Sequence, residues 1–302
     1  MAEGRVIPEV DRAAAARKAL ERRRARASLK RDLAMRVISP QKVLARAVAD
    51  AESDAGTMRI TDFLIALPAI GAGKRDRVLQ DLRIAPVKRL GGLGVRQVTD
   101  LSAWLDDRFP QPRARGGRSR LLVLAGPTAV GKGTVAARIR EEYPEIHLSV
   151  SATTRAPRPG EIDGVHYYFV DDAQFDRMIA GHELLEYAVV HNAYRYGTPR
   201  GPVDAALAEG KTVLLEIDLQ GARQVRAAEP SATLVFLLPP SWDELVNRLV
   251  GRGTEGPEER ARRLRTAKAE LAAQHEFDHL VVNEDVATAA KEVVDLSAAI
   301  AR

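Results

Sequence analysis

Two rhythms of apolar residues divide the chain. Up to residue 106 they recur at helical spacing, and from residue 121 onward short unbroken apolar runs alternate with helical stretches. Residues 9–36 predict one long helix without internal Gly or Pro, with a thin apolar stripe of Leu20, Ala27, Leu29 and Leu33. Ser39-Pro40 supplies an N-cap and a first-turn proline, opening a second helix with Val43, Leu44, Ala47 and Val48 on its buried face. A third helix is expected over 57–67, where Pro68 breaks it. The turn Gly71-Ala-Gly73 leads into a helix bearing Val78, Leu79 and Leu82. A second glycine-rich connection, 90–94, precedes a last helix over 95–106.

Beyond it, the runs 121–125, 146–150, 212–218, 233–237 and 279–283 are of buried-strand type. Helical patterns lie at 202–209, 219–228, 241–251, 258–276 and 285–301. This alternation predicts an α/β fold with an open parallel sheet, its ligands at the carboxyl ends of the strands. Between the halves, Pro110, Pro112 and Gly116-Gly117 oppose regular structure. The expected organisation is a helical domain over 1–106, a linker over 107–118 and an α/β domain over 119–302.

Composition sharpens this division. Hydrophobic residues make up 45% of 302, enough for packed cores. Cysteine is absent, which excludes disulfides and thiolate metal sites. No run approaches the ~18 apolar residues of a membrane helix, and the start lacks a secretory apolar core. No membrane partner is expected, and the absence of cysteine fits a cytoplasmic location. The net charge of +5 hides an asymmetry. Residues 1–118 hold 25 Lys+Arg against 14 Asp+Glu, and the rest hold 21 against 27. A polyanion is the expected partner of the first half and a smaller ligand that of the second.

The densest chemistry follows the run 121–125. Gly126-Pro127-Thr128-Ala129-Val130-Gly131-Lys132-Gly133-Thr134 is a glycine-rich turn between a strand and a helix. Its backbone N–H groups can turn inward on phosphate oxygens, and Lys132 can reach the terminal phosphates. Downstream, Arg155 and Arg158 stand three apart among hydroxyls, a pattern suited to a second phosphate. Glu186, in an apolar setting, suits the paired N–H donors on one edge of guanine. His166, His191 and His275 have no metal spacing, and no protein metal site is expected.

Taken together, the strings Ser151-Ala-Thr-Thr-Arg155, Leu185-Glu186-Tyr187, Arg195-Tyr196-Gly197-Thr198 and Gly251-Arg-Gly-Thr-Glu255 resemble guanylate kinase over about residues 119–300. The resemblance implies a P-loop nucleoside-monophosphate-kinase fold with GMP-binding and lid subdomains. It also implies phosphoryl transfer from ATP to GMP with Mg²⁺. Ser151, Arg155, Arg158, Tyr167 and Tyr196 would then hold the GMP phosphate. Glu186 and Thr198 would read guanine, with Glu216 and Asp218 nearby. Arg248, Arg252 and Arg263 would close onto the ATP phosphates, and Asn283 would lie near adenine. One departure stands out: Gly133 occupies the place where a metal-binding Ser or Thr is common.

Residues 9–106 resemble the actinobacterial integration host factor family through Ala25-Arg-Ala-Ser-Leu-Lys30, Phe63-Leu-Ile-Ala-Leu-Pro68 and Arg89-Leu-Gly-Gly-Leu-Gly94. That resemblance implies an all-α helix–two-turn–helix domain binding duplex DNA through its phosphates. By position, Lys74, Lys88, Arg89 and Arg96 are the contacts. A related hairpin in a small-subunit ribosomal protein makes RNA the alternative partner. The competing reading of the whole chain is a nucleoid-associated DNA-binding protein whose kinase-like domain only senses guanine nucleotides.

Overall fold

A computed structural model describes residues 12–111, 119–190, 194–250 and 257–298. The expected linker residues 112–118, the string 251–255 with Arg252, and His191 lie outside the described residues. The chain falls into two units, the first comprising Met1–Pro110 with Ser241–Asp243 and the second Gln111–Pro240 with Glu244–Arg302.

The first unit is helical: α1 (Arg12–Ala34), α2 (Pro40–Ala49), α3 (Ile60–Ala66), α4 (Ala72–Asp81) and α5 (Val95–Arg108). Leu33, Leu44, Phe63, Leu64, Leu79, Leu101 and Leu105 meet in its core. The Ser39 hydroxyl accepts the Lys42 N–H at 3.2 Å, so α2 starts where its cap dictates. Two expectations fail. Val48 is 53% exposed rather than buried. The third helix begins at Ile60, because the segment before it pairs with distant backbone instead. The Ile60 N–H donates to the Lys88 carbonyl and the Leu90 N–H to the Met58 carbonyl. Helical periodicity cannot register that pairing, which sets Arg59 beside Arg89.

The second unit runs β1 (Leu121–Ala125), α6 (Lys132–Glu142), β2 (Ile146–Leu148), β3 (Ala152–Thr153), β4 (Tyr168–Phe169), α7 (Asp172–Ala180), β5 (Leu184–Val190) and β6 (Tyr194–Pro199). It continues with α8 (Arg200–Ala208), β7 (Thr212–Glu216), α9 (Leu219–Ala228), β8 (Thr233–Leu238), α10 (Trp242–Val250), α11 (Pro257–Ala272), β9 (His279–Val282) and α12 (Val286–Ala298). A parallel sheet has the order β2-β7-β1-β8-β9. Its central strand β1 is buried along its whole length, as an unbroken apolar run with neighbours on both sides requires.

A second sheet, β4-β3-β6-β5, occupies the region between the runs 146–150 and 212–218. β3 and β4 are two residues each, and the half-exposed β4 and β6 carry polar and aromatic side chains. Such strands leave no apolar run. Their register sets Glu186 opposite Thr198 and Thr153 opposite Tyr196. Among the described residues no helix is long and apolar enough to cross a membrane.

Asp278 joins strand edge to helix. Its carboxylate accepts the Leu234 N–H at 2.8 Å and pairs with Arg226 of α9, and it is nearly fully buried. Asp278→Ala leaves the arginine uncompensated, so chemical denaturation is expected to show a loss of about 3–5 kcal/mol.

Candidate active site and basic groove

β1 delivers the chain into the glycine-rich loop, and α6 begins at Lys132. Gly131 caps that helix with φ 99°, and a Cβ there would lie 2.6 Å from Asn283 Nδ2. Only glycine fits both constraints. Asn283 Nδ2 donates to the Val130 carbonyl at 2.9 Å, and Arg248 Nη1 donates to the same oxygen at 3.1 Å. Both residues therefore grip the back of the loop. No side chain caps α6, which leaves its first-turn N–H groups available to an anion.

Lys132 Nζ donates to the Gly126 carbonyl at 2.8 Å and to that of Pro127 at 3.4 Å. Burial pulls its pKa down, opposed by the carboxylates of Glu270, Glu216 and Asp218. Glu270 was not expected from the sequence. Gly133 is open, and a Cβ at that position would stand 3.5 and 3.8 Å from the Glu216 carboxylate oxygens. Thr134 is exposed at the next position.

On the other side, Glu186 is buried at 5% exposure. The Thr198 hydroxyl donates to its Oε1 at 2.7 Å. Burial pushes the Glu186 carboxyl up to about 7, with Thr198 opposing and Asp218 adding to the rise. A Cβ on Gly221 would fall 2.5 Å from Glu186 Oε2, so α9 can approach this carboxylate only with glycine there. Asp218 caps α9 by accepting the Gly221 N–H at 2.7 Å.

Arg155 is buried beside these groups. Its Nε donates to the Tyr196 hydroxyl at 3.2 Å, its Nη2 to Glu161 Oε1 at 2.8 Å, and its guanidinium lies 5.4 Å from the Tyr167 ring centroid. These partners, Glu161 first, hold its pKa above the usual arginine value. Glu161 also accepts the Arg158 N–H at 2.7 Å. A carboxylate thus sits among the donors expected to hold a phosphate, a role the sequence did not reveal.

One cavity of about 650 Å³ gathers Lys132, Ser151, Tyr167, Glu186, Tyr196, Glu216 and Asp218. Arg158 is exposed, and Arg263 stands half-exposed on α11. Neither lines the cavity, nor do Arg248 and Asn283.

The helical unit carries a separate concavity of about 360 Å³. Arg23, Arg26 and Lys30 fall on one face of α1 by their spacing, and Arg59 and Arg89 face them, with Asp62 as the carboxylate in the lining. Arg26 reaches the Thr57 hydroxyl at 3.4 Å. Among the described residues none of the five cations forms an ion pair. Of the four expected contacts, only Arg89 joins this groove. Lys88 is engaged with the Gly92 carbonyl and with Gln97. Lys74 and Arg96 stand exposed in the first turns of α4 and α5.

The guanylate kinase family model matches residues 118–299, and an S13-like H2TH domain model matches 35–105. The guanylate kinase of Leifsonia xyli subsp. xyli is 66% identical over 241 residues, covering 80% of this chain and 94% of that protein. A crystal structure of guanylate kinase from Anaplasma phagocytophilum is 33% identical, with a TM-score of 0.48, covering 63% of this chain and 86% of the other. A structure of sIHF bound to an 8-base-pair palindromic DNA is 29% identical, with a TM-score of 0.28, covering 30% of this chain and 98% of the other.

The environment of Glu186 is open to direct measurement. In the ligand-free protein its carboxyl carbon should titrate near pH 7 by NMR. Thr198→Val, which removes the stabilising donor, should move that midpoint higher. A midpoint in the ordinary glutamate range contradicts the described burial.

Proposed function

We propose that this chain, which belongs to the guanylate kinase family, transfers the γ-phosphoryl group of ATP to GMP, giving ADP and GDP. The observation that carries the reading is a single cavity lined by both the phosphate-loop lysine and the buried Glu186, whose carboxylate accepts from Thr198. The loop N–H groups and Lys132 receive the ATP β- and γ-phosphates. Glu186 accepts the two N–H donors of guanine, while Thr198 fixes its carboxylate. Ser151, Arg155, Arg158, Tyr167 and Tyr196 hold the GMP phosphate, which displaces Glu161 from Arg155.

Both reacting groups are anions, and the transferred phosphoryl passes through a loose transition state. Catalysis is therefore alignment and charge neutralisation rather than proton abstraction. The GMP phosphate oxygen attacks in line, Arg252 and Arg263 neutralise charge on the donor side, and Arg248 acts through the loop carbonyl it holds. Asn283 acts through the loop it grips. Mg²⁺ carried on the ATP phosphates supplies further neutralisation when bound. Gly133 gives it no hydroxyl, but Glu216 stands beside that position. Among the described residues no group of three His, Cys, Asp or Glu forms a metal cage. The donor set fits an ion that arrives with the nucleotide and keeps several waters.

Residues 1–106 form a nucleic-acid-binding domain, joined to the kinase by residues 107–118. Five unpaired cations around one concavity favour a phosphate backbone, and duplex DNA is the partner we assign. Lys74, Lys88 and Arg96 extend the contact beyond Arg89.

A coupled ATP/GMP assay on the full chain tests the enzyme reading; tight GMP binding without turnover would leave the nucleotide-sensing alternative. Only the carboxylate form of Glu186 accepts both guanine N–H donors at once, so kcat/KM for GMP should fall about tenfold per pH unit below ~7. Glu186→Gln should cost at least about a hundredfold in that ratio and abolish this acid limb. For the helical unit, duplex binding should weaken steeply with salt. The double variant Arg26→Gln/Arg59→Gln should reduce the slope of log K against log salt by about 2. A salt-independent duplex affinity, or retention of RNA alone, overturns the DNA assignment.

A further inference from the structure

Glu270 lies near the C-terminal end of α11, 142 positions from the phosphate loop, yet its Oε2 accepts the Thr128 N–H at 2.9 Å. Burial pushes the Glu270 carboxyl up, while Thr128 and Lys132 oppose that rise. A carboxylate withdrawn from water is costly unless donors compensate it, and here the hydrogen-bonding donor is a backbone amide of the loop.

The loop has three fastenings. Lys132 holds the carbonyls of Gly126 and Pro127. Asn283 and Arg248 hold that of Val130. The crest at Thr128 lies between these points, and Glu270 is what holds it. The same helix carries Arg263 seven residues earlier. That spacing is two turns, so both residues share a face, roughly 10 Å apart along the axis.

We infer that Glu270 is a positioning residue that ties α11 to the crest of the phosphate loop and so sets where Arg263 meets the ATP phosphates. The inference rests on the proposed kinase function. Glu270 acts through the Thr128 amide and through its own helix, on the ATP side alone. The acceptor oxygen does this, so an uncharged isostere that keeps a carbonyl should serve.

Steady-state kinetics on the full chain test it, with each substrate varied while the other saturates. Glu270→Ala should lower kcat/KM for ATP at least tenfold and leave KM for GMP within twofold. Glu270→Gln should recover the ATP parameter to within threefold of the unsubstituted chain. Glu270→Leu, which keeps bulk without an acceptor, should reproduce the ATP-selective loss and serves where the alanine variant folds poorly. Unchanged ATP parameters overturn the inference. So do equal losses toward both substrates, or a glutamine variant as impaired as the leucine one. Direct titration with a non-hydrolysable ATP analogue separates this from the kinase reading. Absence of GMP-dependent turnover in the unsubstituted chain sinks that reading, whereas tenfold weaker analogue binding by Glu270→Leu still supports the positioning role.

Discussion

A half-buried lysine ammonium among carboxylates is the constraint on which the kinase unit turns. Lys132 opens the helix that follows the loop, and its charge is supported there by two loop carbonyls and the field of three carboxylates. Buried charge without such partners would neutralise or unfold the site. The loop must therefore keep one shape, and distant elements are recruited to fix it: Asn283 after β9, Arg248 from α10 and Glu270 from α11.

The acceptor end follows the opposite logic. There a carboxylate, not a cation, is buried, and its pKa rises accordingly. The second sheet exists to hold it. Pairing β5 with β6 places Thr198 on Glu186, and glycine at position 221 lets α9 close over the same oxygen pair. One hydroxyl and one missing side chain keep a costly group oriented. Nearby, the ion pair with Glu161 keeps the Arg155 guanidinium in place, at the position proposed to receive the GMP phosphate.

What the sequence made legible was local. The phosphate loop is contiguous, so its turn, its lysine and its helix start could all be seen, and the buried strands announced themselves as apolar runs. Glu186 stood out as a carboxylate in an apolar setting. What it concealed depends on distant partners. β3 and β4 are too short and too polar to leave a pattern. The start of α3 yields to pairing with residues 88–90. Val48 belongs to the apolar periodicity of α2 but meets solvent. Glu161, Gly221 and Glu270 look ordinary in sequence and acquire meaning only through residues brought beside them. The basic groove is a mixed case: the α1 charges were visible, but Arg59 was not, because backbone pairing brings it beside Arg89.

The central claim is that one cavity joins a triphosphate end to a guanine-reading end and moves phosphorus between them. Phosphorus NMR of the full chain with ATP, Mg²⁺ and equal GMP and AMP tests this most directly. The account predicts equal accumulation of ADP and GDP from the ATP–GMP pair while AMP is left unphosphorylated. Release of inorganic phosphate without GDP, or comparable phosphorylation of AMP, would contradict it.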